Sequence, residues 1–248
     1  MMKNKFKTIF LFSLTLVIIL ISLFGCDLDK ARNFKTTTFR IGKSTYIEAV
    51  NADVLGDQLS TEEIDILARK IFKQASLING TFLVSPETME IDESKSIMAK
   101  SEDLSYLKDK WNMPGYTPDD KIYKWKKIVY IETWEEFQTI CESVLGKEYC
   151  EQNILRAARY RIIEHDGYLY QCQDLVGGVG GNWHLEANRS KIKVLSQKEN
   201  AIEIRANMKD LICLGYDDKW VDGDLEYTII RQNGYWVLKD FQGVNPKQ

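Results

Sequence analysis

Chemistry needs reactive side chains at workable spacings, so the histidines and cysteines come first. The chain has two histidines, His165 and His184, and five cysteines, Cys26, Cys141, Cys150, Cys172 and Cys213. A nucleophilic site needs a base beside the nucleophile and a third group to orient it. No spacing here brings Cys172 or Cys213 to either ring. His165 precedes Asp166-Gly167, where a histidine reads as a turn residue, and His184 follows Trp183. HExxH, HxH and CxxC are all missing from the sequence, so no zinc or other metal site is expected. The expectation is a protein that is not an enzyme and carries no cofactor.

Two further stretches invite a chemical reading. The run Gly177, Gly178, Val179, Gly180, Gly181 has neither GxGxxG nor a lysine-serine ending, and strands rather than a helix follow it. It is therefore no phosphate cradle. It reads as a loop between strands, or as one whose missing side chains admit a partner closely. With Trp183 and His184 it forms the candidate partner-binding region. Asp217, Asp218, Asp222 and Asp224 lack the alternating oxygens and closing glutamate of a calcium loop. They read as a solvated acidic loop.

The start of the chain carries a clearer signal. Lys3, Lys5 and Lys7 precede an uncharged apolar run from Ile9 to Phe24, and Leu23-Phe24-Gly25-Cys26 follows. The order is that of a secretory leader, and its end resembles a bacterial lipobox, with Phe24 as the one bulky departure. The resemblance implies cleavage before Cys26, lipid on its sulfur and a location on the extracytoplasmic face of the cell membrane. The alternative is an uncleaved anchor of the same topology. Loss of the three lysines takes the net charge from −3 to about −6, which leaves no basic footprint for nucleic acid. The remaining cysteines are read as four buried thiols or as one or two disulfides, with Cys141 and Cys150 the best-spaced pair.

The elements that would carry these residues follow from periodicity. Residues 1–25 are read as the leader, 26–59 as the lipidated cysteine with a polar tether, and 60–248 as one domain. Ser60-x-x-Glu63 is a capping box, followed by an apolar stripe of Ile64, Leu67, Ala68, Ile71, Phe72, Ala75 and Ile78, and Asn79-Gly80 ends the helix. Residues 81–101 are weakly patterned, and the prolines and glycine from Lys110 to Asp120 predict a loop. Ile122–Ile131 reads as a strand. Thr133-x-x-Glu136 opens a second helix, and a shorter one covers Tyr149–Arg159. Hairpins are expected at Asp166-Gly167, Lys198-Glu199-Asn200 and Asn233-Gly234. Helices followed by strands predict an α+β domain, its N-terminal helices packed on an antiparallel β meander.

On these residues the chain resembles the IseA-type inhibitors of peptidoglycan DL-endopeptidases. The shared features run from Ser60 to the end of the chain. They are the Ser60–Ile78 helix, the Thr133-Trp134-Glu135-Glu136-Phe137 helix after a strand, Asp166-Gly167-Tyr168-Leu169-Tyr170 with its glycine loop, and the closing Gly234–Phe241. The resemblance implies a non-catalytic protein that docks on the catalytic domain of NlpC/P60-type wall hydrolases and blocks the active-site cleft. It assigns no individual inhibitory residue. The order of elements and the ending also resemble NTF2-like or cystatin-like lipoproteins, which would imply a small-molecule or peptide site in a curved sheet.

Overall fold

A computed structural model describes residues 34–52, 58–84, 89–100, 122–159, 161–172, 186–187, 192–214 and 217–241. Within these, 83–84, 186–187, 208–214 and 217–222 are described by their backbone alone. The chain divides into a leading unit, Met1–Phe34, and a main unit, Lys35–Gln248, to which every element below belongs.

The fold is α+β. Two strands precede the first helix, however: β1 (Thr36–Arg40) and β2 (Tyr46–Asn51), paired antiparallel from Thr36–Val50 to Arg40–Tyr46. The domain therefore begins before Ser60, inside the stretch read as tether. The strand signal is weak because β1 alternates only between exposed and half-buried positions, with threonines where a core strand would carry aliphatics.

Helix α1 (Thr61–Asn79) starts where the capping box places it. Ser60 Oγ accepts from Glu63 N at 3.2 Å, and Ser60 N donates to Glu63 Oε2 at 2.8 Å. All seven residues of the expected stripe are buried. Each large aliphatic or aromatic among them contributes about 1.5–3 kcal/mol. The helix lies across β2 and the last strand, with Phe72 edge-on to Tyr227 at 4.9 Å between centroids. A π-helical turn, Gly80–Val84, continues it, so Gly80 is helical rather than a left-handed stop.

Next come β3 (Ile91–Ala99), β4 (Tyr123–Ile128), α2 (Trp134–Glu142) and a helical run of α3 (Lys147–Tyr149), a π-helical turn (Cys150–Leu155) and α4 (Arg156–Ala158). β3 escaped the sequence reading because Glu93–Ser96 are all exposed and give no alternation. Thr133 caps α2 by accepting from Glu136 N at 3.1 Å, while Glu136 reaches back to Glu132 N rather than to the cap residue. The remaining strands are β5 (Ile162–His165), β6 (Tyr168–Gln171), β7 (Glu186–Ala187), β8 (Lys193–Lys198), β9 (Ala201–Leu214), β10 (Asp217–Gln232) and β11 (Tyr235–Leu238).

The strands form two antiparallel sheets rather than one meander. The larger runs β1-β2-β11-β10-β9-β7, with β8 also on β9, and the smaller runs β3-β4-β6-β5. Asp166-Gly167 and Asn233-Gly234 both turn at positive φ (49° and 76°, then 50° and 82°), as two-residue hairpin turns require. The main core lies between α1 and the larger sheet, around Ile47, Ile202, Ile204, Ile229 and Trp236. A second cluster sits on one face of the smaller sheet: Trp125, Ile163, Tyr170 and Cys172, flanked by Ile97, Ala99 and Tyr123. Trp125 Nε1 donates to Ala99 O at 2.9 Å, which pairs the indole's one polar atom.

Candidate functional site

Cys26 and the candidate contact residues Gly177, Gly178, Val179, Gly180, Gly181, Trp183 and His184 lie outside the described residues. Their attachments are described. Ahead of the glycine run, Cys172 N donates to Arg161 O at 3.0 Å and closes the β5–β6 hairpin of the smaller sheet. After it, β7 pairs with β9 of the larger sheet through Glu186–Lys209 and Ala187–Met208. The connection thus leaves one sheet and enters the other, with a hydrogen-bonded strand at each end.

His165 ends β5 and is half-exposed, with Nε2 3.4 Å from Asp166 Oδ2 and its ring 6.1 Å from that of Tyr170. In register it faces Tyr168, and Cys172 stands four residues further along that extended chain, about 13 Å away. A proton transfer between the two is out of reach. Cys141, Cys150 and Cys172 are free thiols, all buried. That decides between the readings left open for the Cys141–Cys150 pair in favour of thiols. Burial pushes both thiols well above the ordinary range, and their proximity to each other raises Cys141 further. They are poor nucleophiles, because the thiolate is the reactive form. Cys213 lies in β9. Among the described residues, no group of three or more His, Cys, Asp or Glu could hold a metal ion.

One cleft, of about 320 Å³, opens where the helical run meets the larger sheet, between Gly146, Lys147, Glu151, Gln232, Lys239 and Asp240. It follows from a close crossing. Leu145 bridges parallel to Leu238, Leu238 N donates to Val144 O at 2.8 Å, and Gly146 N donates to Leu238 O at 2.7 Å. Gln232 spans the crossing, accepting from Lys147 N at 3.0 Å and donating to Glu142 O at 3.2 Å. Charges of both signs line this cleft.

The acidic stretch Asp217–Asp224, expected as a loop, is the first half of β10 and pairs with β9 throughout. Acids grouped in this way read as turn chemistry in isolation; the long partner strand makes the stretch part of a two-stranded ribbon. In the described half of that ribbon, Glu226 takes Arg205 as its ion partner, and Asp224 Oδ1 accepts from Asn207 Nδ2 at 2.8 Å. The hydrogen bond and charge of Glu226 raise the Arg205 guanidinium.

Among the described residues, no helix is long and apolar enough to cross a membrane. Neither a family model nor a curated protein matches the chain.

Proposed function

We propose that this chain is an extracytoplasmic protein, lipid-anchored through Cys26, that inhibits peptidoglycan DL-endopeptidases by binding their catalytic domain without chemistry of its own. The observation that supports this reading is how the glycine-rich connection is attached. Gly177–His184 run between a strand of the smaller sheet and a strand of the larger one. Inhibition of a cleft needs a segment whose ends are fixed in space, since ordering a free segment would cost affinity. Glycines within it let a partner's backbone approach closely. The acidic balance of the mature chain favours encounter with a basic hydrolase.

The test is turnover of peptidoglycan by a purified DL-endopeptidase catalytic domain in the presence of this protein. Inhibition at micromolar concentration is expected, and deletion of Gly177–Gly181 should relieve it. Undiminished turnover at saturating protein would remove the inhibitor reading. Incorporation of labelled palmitate that disappears in Cys26→Ser tests the anchor separately.

A further inference from the structure

The hairpin of β9 and β10 is longer than the sheet that holds it. Its two strands pair without interruption from Ala201–Ile230 to Leu214–Asp217. On the far side of β10, β11 pairs only from Ile229 to Gln232, and Lys239 N adds one bond to Thr228 O at 2.9 Å. On the far side of β9, β8 reaches Arg205 and β7 covers Met208 and Lys209. Among the described residues, 210–214 and 217–221 therefore have only each other, and Asp222 has only Lys209. A bare two-stranded ribbon is marginal in water, and a third strand would complete its backbone bonding.

The register shows which residues offer that bonding. Thr228 turns its carbonyl toward the β11 side, and backbone direction in a strand repeats every second residue. Glu226, Asp224, Asp222, Trp220 and Asp218 therefore turn their N–H and C=O groups the same way, to the open edge. Four of these five are acids. Across the ribbon, Arg205 pairs with Glu226, and Lys209 stands opposite Asp222 in register. Asn207 opposite Asp224 and Cys213 opposite Asp218 bring no charge. The remaining charged residues of the open stretch, Asp210, Asp217 and Lys219, add one further net negative charge.

These charges choose among occupants. A second copy pairing antiparallel about Asp222 would set Asp222 against Asp222 and Asp218 against Glu226. Like charges directly opposite destabilise a sheet. A strand with lysine or arginine at alternate positions places a cation against each acid while its backbone completes the ladder. We propose that the outer edge of β10, from Asp218 to Glu226, binds an extended lysine- or arginine-rich segment of a partner protein by strand addition. The partner is defined by this chemistry alone, so the proposal does not rest on the inhibitor reading.

The test uses the full chain and a fluorescent peptide of about ten residues alternating lysine and threonine, read by anisotropy. Two comparison peptides alternate glutamate and threonine, or keep the lysines with every amide N-methylated. The lysine peptide should bind, the methylated one at least about tenfold more weakly, and the glutamate one not at all. Exchange of Asp218, Asp222 and Asp224 for asparagine should weaken binding by a similar factor. Asp222→Pro should weaken it about threefold or more beyond Asp222→Asn, because only the proline also removes an outward donor, worth a modest net hydrogen bond. Equal binding of the methylated or glutamate peptide would overturn strand addition to a basic segment. A dimer in sedimentation that Asp222→Pro dissolves would also overturn it, in favour of a second copy. The peptide comparisons use the unaltered protein, so they decide the matter even where a variant fails to fold.

Discussion

Gly146 is the residue on which the junction between helices and sheet turns. Its backbone sits at φ −57°, which any residue adopts, so its requirement is steric. A Cβ there would collide with the carbonyl of Lys239, a backbone atom just past β11 that is held against β10 by the bond from Lys239 N to Thr228 O. Gly146→Ala should therefore destabilise the fold by roughly 1–3 kcal/mol, the range for overpacking a site that cannot give, measured as a lower urea midpoint with unchanged slope. In the sequence this glycine reads only as a helix stop; its partner is ninety-three positions further on, a distance that no local pattern reports. The buried thiols make a second residue-scale prediction. Burial raises Cys141 and Cys150 in the folded state above the ordinary value of 9.0. The folded protein thus holds protons that the unfolded chain releases. Their contribution is complete below about pH 9 and declines as pH rises, by at most about 1.4 kcal/mol per pH unit for each thiol. Melting temperature should fall on the alkaline side, and the double exchange Cys141→Ala, Cys150→Ala should flatten that slope even if it lowers the plateau.

At the scale of elements, legibility followed the range of the determining interactions. The start and buried face of α1 were readable because its cap and stripe are local, whereas its end was not, because Gly80 continues into a π-helical turn. Ser60→Ala removes the side-chain acceptor for Glu63 N and should cost about 1 kcal/mol, seen in chemical denaturation and restored in part by Ser60→Asp. The Asp166-Gly167 and Asn233-Gly234 hairpins were readable for the same reason, since two residues at positive φ set the turn. β3 and the first half of β10 were not. Exposed Glu93–Ser96 hide the first, and Asp217, Asp218, Asp222 and Asp224 disguise the second as a loop. What makes each a strand is a partner elsewhere: β4 across the segment 100–122, and the length of β9. The candidate site was legible to a smaller extent. The glycine run could be found from composition, but its passage between two sheets depends on how β6 and β7 pair.

At the scale of the whole molecule, the decisive correction is where the domain begins. A boundary at Ser60 would discard β1 and β2. Yet β2 supplies the inner strand beside β11, through Val50–Trp236 and Asn51–Tyr235, with Ala52 N donating to Gly234 O at 2.7 Å. Ile47, Ala49 and Val50 are at most 1% exposed, and Gln74 of α1 accepts from Glu48 N at 3.2 Å. Losing the strand would bare the underside of α1 and leave a row of backbone groups on β11 unpaired. Ile47 and Val50 alone account for roughly 3–6 kcal/mol of apolar burial, a large share of the 5–15 kcal/mol by which a domain of this kind is stable. A chain beginning at Lys35 should therefore melt cooperatively, while one beginning at Ser60 should show no folding transition and weak dispersion in its proton spectrum. A cooperative melt of the shorter chain near the temperature of the longer one would mean that β1 and β2 decorate the sheet rather than complete it.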